Sequence, residues 1–300
     1  MELPQLTPAS VIEGRWSKNK YKIKKKIGKG GIAEVYLVED IKTKKEYALK
    51  ISKDSISINR EYELLKKFNK IDIIVKCYEI DDYQIHGENY YYILLEYIEG
   101  ENLKKYRQQK YLQKNTIIAI ILIILKGIKT LYSEEYIITD LKLENIMMDK
   151  KNRQLKIIDL GGAVKKGETV KEFTPLYDRA NWKCGERVAE ASYGIFAVMM
   201  IFTKLLLKEN IHPKKENIQD VINKIRGLGL GEEIEAYIIE GLLDQNKSVD
   251  YFLEGFKKLY RQEQGIQQQM RILLKEKRIN YFLGFSIFSF CITIIILFLA

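Results

Sequence analysis

The sequence predicts an α+β protein of two lobes, a small β-rich one followed by a larger helical one, with a single apolar helix at the C-terminus. Three features carry that prediction. Strand-like alternation dominates from about residue 21 to 100, apolar stretches of helical character dominate from Asn115 to about residue 260, and residues 281–300 contain no charged side chain. The divisions are an N-terminal extension at 1–20, a globular domain at 21–260 with its lobes meeting near residue 100, a polar juxtamembrane linker at 261–280 and a transmembrane helix at 281–300.

Residues 1–20 show little pattern, with Pro4, Pro8 and Arg15 where a secretory signal would need an apolar run. YKIKKKIGKGGIAEVYLVED then reads as a β-hairpin with Gly28, Gly30 and Gly31 at its tip. Glycines there let backbone N–H groups approach a polyphosphate, although an ordinary flexible hairpin has the same look. KEYALKI is a strand whose period of two puts Ala48 and Lys50 on one face. In NREYELLKKF the apolar residues Leu64, Leu65 and Phe68 have helical spacing, and Glu61 lies on a turn able to face Lys50. CYEI and NYYYILLEYIEGENL add two strands, the second ending in a turn at Gly100, so the small lobe is expected to hold five strands and one helix.

In the second lobe, IIAIILIIL between Lys114 and Lys126 is apolar all round yet much shorter than a membrane span, which predicts a helix buried in a core. Residues 162–184 are polar and irregular and suit a mobile substrate-facing loop, with hydroxyls at Thr169 and Thr174. YGIFAVMMIFTKLLL predicts a second buried helix, interrupted by Lys204. Amphipathic helices follow at 216–226, at 232–243 and in VDYFLEGFKKLYRQ, before the low-complexity QEQGIQQQ, a polar helix or coil.

Between the two buried helices lies YIITDLKLENIMM, then LKIIDLG. Asp140, Lys142, Asn145 and Asp159 alternate there with apolar residues, so two carboxylates, an amide and an ammonium are presented from loops between short buried strands. Phosphoryl transfer needs a carboxylate to orient or take the proton of an attacking hydroxyl, hard oxygen ligands for Mg²⁺ and a cation near the migrating charge. Asp140 suits the first task, Asn145 and Asp159 the second, Lys142 the third.

Composition narrows the classes. A 300-residue chain with 46% hydrophobic and 30% charged residues is globular rather than disordered. Its net charge of +10 suits an anionic partner, but no aromatic and basic residues interleave as in a nucleic-acid module, so no nucleic-acid partner is expected. Cys77, Cys184 and Cys291 are too scattered, with only His86 and His212 to help, for a structural zinc site or a disulfide framework; a reducing compartment fits. An uncharged helix of about 20 residues rises about 30 Å, the thickness of a bilayer's hydrocarbon core. With Lys275, Lys277 and Arg278 just before it, residues 281–300 are expected to form a single-pass C-terminal anchor that leaves the globular domain cytoplasmic.

In this order and spacing, GKGGIAEVY, the strand lysine, the helix glutamate, TDLKLEN and DLG resemble the eukaryotic-like Ser/Thr protein kinases, particularly the bacterial membrane-tethered kind. The resemblance covers about residues 21–260 and implies a bilobal kinase-like fold that uses ATP and Mg²⁺ on a protein substrate with a Ser or Thr acceptor. It further implies that Ile27, Gly28, Lys29, Gly30, Gly31, Ile32, Ala33, Glu34 and Val35 cover the ATP phosphates. Lys50 would hold the α- and β-phosphates and pair with Glu61, and Glu96 and Ile98 would meet adenine at a hinge behind a gatekeeper at Leu95. Val35, Ala48 and Met147 would sandwich the adenine ring. Asp140 would be the catalytic base, Lys142 the γ-phosphate contact, and Asn145 and Asp159 the Mg²⁺ ligands. Lys142, with Thr174 in T-x-x-Y, is similar to the Ser/Thr pattern rather than the Tyr pattern. Membrane lipid around the anchor is the other expected partner, and self-association is left open.

The departures are specific. Ile138-Thr139-Asp140 stands where the family has His-Arg-Asp, so the arginine that usually receives a phosphate on the activation segment is missing, and activity is not expected to depend on that switch. Ile138 can fill the histidine's apolar place beside Leu160 and Leu65, and Ala33 replaces a third glycine. Arg179-Ala180-Asn181 replaces Ala-Pro-Glu with no match for its arginine partner, and Ala189 stands where an aspartate usually braces the catalytic loop. These changes put substrate docking in doubt and supply the alternative, a catalytically weak nucleotide-binding scaffold; against it, Lys50, Asp140 and Asp159 all stand.

Overall fold

Alternation of buried apolar and exposed polar residues builds the first sheet. In the computed structural model, which describes residues 3–4, 6–207, 209–266 and 268–269, the small lobe contains β1 (Val11–Glu13), β2 (Lys20–Lys29), β3 (Ala33–Asp40), β4 (Glu46–Ser52), α1 (Ser55–Lys67), β5 (Cys77–Ile85) and β6 (Glu88–Glu96). The antiparallel sheet has the order β1-β2-β3-β4-β6-β5. It has six strands, one more than expected. The extra one is β1, from the stretch read as an extension: Ile12 is buried, Val11 pairs with Lys22, and Ile23 N–H donates to Ser10 O at 2.8 Å. One face of the sheet, with Tyr21, Ile23, Val38, Leu49, Ile51 and Tyr92, packs with Leu6 and Ile12. Ala48, Ile93 and Leu95 fall on the other face and join the main core with Ile58, Leu64 and Leu65 of α1. Asp54 caps α1 by accepting from Ile56 N and Ser57 N. The turn between β5 and β6 uses His86 and Gly87 at φ of 49° and 80°, the left-handed pair that a tight hairpin needs.

The larger lobe begins with β7 (Gly100–Asn102), α2 (Leu103–Gln109) and α3 (Lys114–Ser133). It continues through β8 (Tyr136–Ile138), β9 (Ile146–Asp149), β10 (Gln154–Ile157) and β11 (Ala163–Lys165) to α4 (Ala191–Leu206), α5 (Ile218–Arg226), α6 (Glu232–Leu243) and α7 (249–266). At 20 residues, α3 is longer than the apolar run suggested and, by length and composition alone, could cross a membrane. It does not serve that way here: Ile118, Ile121, Ile124, Leu125 and Ile128 are fully buried in the main core, and the helix packs against α4. α4 is buried from Ser192 to Leu205, and Lys204 is accommodated because its Nζ leaves the last turn to donate to Glu209 O at 3.0 Å. An Asn217/Asp220 capping box starts α5. α7 carries on into the glutamine-rich stretch as far as residue 266; the expected transmembrane helix at 281–300 lies outside the described residues.

Phe202 of α4 and Phe256 of α7 are both fully buried and meet edge to face with ring centroids 5.4 Å apart. Phe202→Ala is expected to cost about 3–5 kcal/mol in a urea titration, the usual penalty for emptying a packed aromatic site; a loss under about 1 kcal/mol would show that α7 is not docked on α4 as described.

Candidate active site

Two short antiparallel pairings bring the polar loop residues together. β8 pairs with β11, with Ile138 opposite Ala163, and β9 pairs with β10, with Met147 opposite Lys156. Between the strands Leu141, Leu143 and Ile146 point into the core, which leaves Asp140, Lys142 and Asn145 half-buried at its edge. Ile158 N–H donates to Asn145 O at 2.9 Å and ties the two loops. Asp140 and Lys142 form an ion pair at 2.5 Å, Thr174 Oγ1 donates to Asp140 Oδ1 at 2.7 Å, and Lys142 Nζ donates to Thr174 Oγ1 at 3.1 Å. Asn145 Nδ2 donates to Asp140 O at 3.1 Å, which fixes the amide and leaves its oxygen as an acceptor.

From the small lobe, Lys50 on β4 reaches Glu61 on α1 at 2.6 Å and Asp159 at 3.5 Å. Burial works against the ammonium, but the charges of Glu61 and Asp159 more than offset it and hold Lys50 above its ordinary range. Burial also opposes the Asp159 carboxylate, yet Lys50 and the N–H of Gly161 at 2.8 Å keep it ionised, below the ordinary value. Burial pushes Glu61 up to about 7 against the pull of Lys50, with Asp159 adding like-charge repulsion. Asn145 and Asp159 thus offer an amide oxygen and an ionised carboxylate, hard donors that fit Mg²⁺ if phosphate oxygens and water complete its shell. Among the described residues no group of three or more His, Cys, Asp or Glu could hold a metal alone.

The remaining predicted residues are divided between the two lobes. Ala48 belongs to the main core and Val35 and Met147 pack against it, one from each lobe. Leu95 and Ile98 are buried at the lobe junction. Glu96 N–H is given to Lys76 O at 2.8 Å, so a ligand can meet only its carbonyl. Gly28 lies opposite Val35, and Ile27, Lys29, Gly30, Gly31 and Ile32 form the exposed end of the β2–β3 hairpin. Nothing lies within 4 Å of the place a Gly31 side chain would occupy, so that tip is open. Ala33 is buried, and the Glu34 side chain is occupied, taking the Tyr36 hydroxyl at 2.5 Å and an ion pair with Lys26. Only its backbone can belong to a phosphate-covering loop.

Four contributors escaped the sequence reading. Ser52 Oγ donates to Ile32 O at 2.6 Å and anchors the end of the glycine loop. Lys156, with its side chain 4% exposed, pairs with Glu96 at 3.2 Å and ties β10 to the junction. Thr139 Oγ1 lies 2.5 Å from Gly162 O and 3.0 Å from Glu172 O. Around residue 178, where an ion pair was expected to be missing altogether, there is a buried polar network. Asp178, fully buried, accepts from Arg187 Nε at 2.9 Å, Tyr193 OH at 3.0 Å and Asn181 Nδ2 at 2.5 Å. Arg179 beside it donates to Glu186 O at 2.8 Å and Ser192 Oγ at 2.6 Å. Ala189 packs instead with Ile137, Val164, Val170 and Tyr193, replacing a polar brace by apolar contact. The segment expected as a mobile loop is tied down in several places: β11 opens it, Thr169 bridges Val188, and Thr174 is held by Asp140 and Lys142.

Comparison with known proteins identifies the family. The family described as "Protein kinase domain" matches residues 21–275. Serine/threonine-protein kinase YabT of Bacillus subtilis is 32% identical over 250 residues, covering 82% of this chain and 73% of the relative. Calcium-dependent protein kinase 4 of Plasmodium falciparum is 38% identical over 153 residues, covering 47% of this chain and 28% of that protein. Dual specificity protein kinase zakA of Dictyostelium discoideum is 35% identical over 118 residues, covering 38% of this chain and 14% of that one.

The Glu61 environment has a direct test. In a carboxyl NMR titration Glu61 should titrate near 7, apart from the exposed glutamates, and Lys50→Met should move its midpoint further up, because the lysine charge is what lowers it. An unchanged midpoint in the variant would contradict the buried pair.

Proposed function

The chain belongs to the protein kinase family and is a protein Ser/Thr kinase, and from that premise we propose that it phosphorylates protein hydroxyls from a membrane-tethered position. The observation that carries the catalytic reading is Lys50 reaching Glu61 at 2.6 Å and Asp159 at 3.5 Å, because it joins sheet, helix and metal-binding loop in one assembled arrangement. ATP would lie between the lobes, its adenine between Val35, Ala48 and Met147 and behind Leu95, with the Glu96 carbonyl and the Ile98 backbone at its edge. The hairpin from Ile27 to Val35 would close over the phosphates and Lys50 would neutralise the α- and β-phosphates. Asn145 and Asp159 would hold Mg²⁺, which supplies charge neutralisation at the phosphates.

Asp140 orients the acceptor hydroxyl and takes its proton. Its Oδ1 and Oδ2 are held by Thr174 and Lys142, so the carboxylate has a fixed direction before a substrate arrives. Lys142 then balances charge on the migrating phosphoryl group. The scaffold alternative drew on the departures at Arg179–Asn181 and Ala189, and the buried network around Asp178 together with the apolar seat of Ala189 weakens it. Membrane tethering is supported by the uncharged stretch 281–300 and by the cluster Lys275, Lys277 and Arg278 before it.

With labelled ATP and Mg²⁺ the protein should phosphorylate itself or a basic protein on Ser and Thr. Asp140→Asn should lower the rate on the order of 10²–10⁴-fold while nucleotide binding persists. ATP binding without incorporation by the unmodified protein would favour the scaffold. Deleting residues 281–300 should release the protein from the membrane pellet into the supernatant; a truncated protein that still pelleted with membranes would remove the anchor from the proposal.

A further inference from the structure

Thr139 sits between Ile138 and Asp140 and is 1% exposed, so its hydroxyl has to find partners inside the protein. It finds two, Gly162 O at 2.5 Å and Glu172 O at 3.0 Å, and the single hydroxyl proton is shared between them. Gly162 lies just beyond Asp159 and Gly161, while Glu172 lies two residues before Thr174, the residue that donates to Asp140 Oδ1. One buried hydroxyl therefore joins both ends of the segment 162–174 to the backbone that carries Asp140. The approach is close at one point: a Cβ on Gly162 would lie 3.0 Å from Asp140 Cβ and 3.2 Å from Asp140 N, tighter than an ordinary contact. Arg60 of α1 adds a hydrogen bond to Ala163 O at 2.9 Å, on the same segment.

We propose that Thr139 is a positioning residue for phosphoryl transfer, whose hydroxyl latches the segment 162–174 onto the catalytic loop and so holds Asp140, Thr174 and Asp159 in register without any phosphate on that segment. An arginine at this position would bring a buried cation in need of an anion. A threonine is satisfied by two backbone carbonyls that are always present, so the latch needs no modification to close. The Thr139 N–H also donates to Gly162 O at 3.3 Å, so the tie that only the hydroxyl supplies is the one to Glu172 O. This inference rests on the kinase reading, because the groups it positions are the catalytic ones.

The test compares Thr139→Val, which keeps the shape and removes the hydroxyl, with Thr139→Ser, which keeps the hydroxyl, both in the full-length protein. Thr139→Val is expected to lower kcat on the order of tenfold with KM for ATP unchanged, whereas Thr139→Ser stays within about threefold of the original. Hydrogen exchange at residues 171–174 should quicken on the order of tenfold in Thr139→Val and stay near the original rate in Thr139→Ser. Phosphatase treatment of the unmodified protein should leave its rate unchanged. Original turnover and exchange in Thr139→Val, an equal loss in both variants, or loss of activity on phosphatase treatment would each overturn the latch. If the unmodified protein transfers no phosphate at all, the kinase reading fails, and the exchange rates of the two variants still decide whether the hydroxyl holds the segment.

Discussion

The pair formed by Lys50 and Glu61 is the interaction on which the rest of the arrangement depends. Their side chains are only 15% and 5% exposed, and removing two charges from water to this extent is costly unless each finds its counterpart at short range. Removing one member of such a pair costs about 3–5 kcal/mol, since the other charge is left buried alone. The surroundings are built to prevent that. The register of β4 between β3 and β6 fixes Lys50 opposite Val35 and Ile93, and α1 is seated by Ile58, Leu64 and Leu65 in the core that continues into α3 and α4. Asp159 shares the lysine from the larger lobe, so the pair also sets the relation of β4 and α1 to the loop after β10. A buried ion pair is poor value as a source of stability. Its retention here makes sense as the fixed point of the proposed phosphate-binding site.

How much of this could be read from the chain depends on whether the signal was local. Lys50 and Glu61 were legible because a period of two places one and a helical turn places the other. Asp140, Lys142, Asn145 and Asp159 were legible because each polar group is flanked by apolar neighbours that turn inward, Leu141, Leu143 and Ile146 among them. β1 was hidden because a three-residue edge strand with one buried side chain carries no measurable alternation. The full length of α3 was hidden because Lys126, Lys129 and Thr130 break its apolar run on the exposed side of the helix, past the point where the core-facing pattern was followed. Lys156 gave no sign at all: a lysine in LKIIDLG looks like a solvent-facing strand residue, and only the fold brings Glu96 to it.

The departures that put substrate docking in doubt have a local physical basis. At Arg179–Asn181 the pair of charges expected of the family is absent. The fold asks only that buried polar atoms be satisfied. Asp178 meets that demand with Arg187, Tyr193 and Asn181, all within a short stretch of chain, and Arg179 meets it with Ser192 and the carbonyl of Glu186. An interaction that would otherwise reach to a distant helix has become a local one. Ala189 completes the change, since an apolar residue beside Ile137 and Val170 leaves no polar group to be matched.

Thr139 and the Asp178 network depart in the same physical direction. At both places the partners are close and permanently present: backbone carbonyls for the Thr139 hydroxyl, and for Asp178 a charged neighbour, Arg187, with the Tyr193 hydroxyl. Charge-dependent contacts can be switched by adding or removing a phosphate, whereas a hydroxyl between two carbonyls cannot. If the Thr139 latch holds as proposed, the catalytic geometry is set by folding, and control would act on whether substrate and nucleotide reach the site. The proposed confinement to a membrane surface would be one physical means to that end, because it would raise the local concentration of whatever substrate shares that surface without altering a single contact in the site.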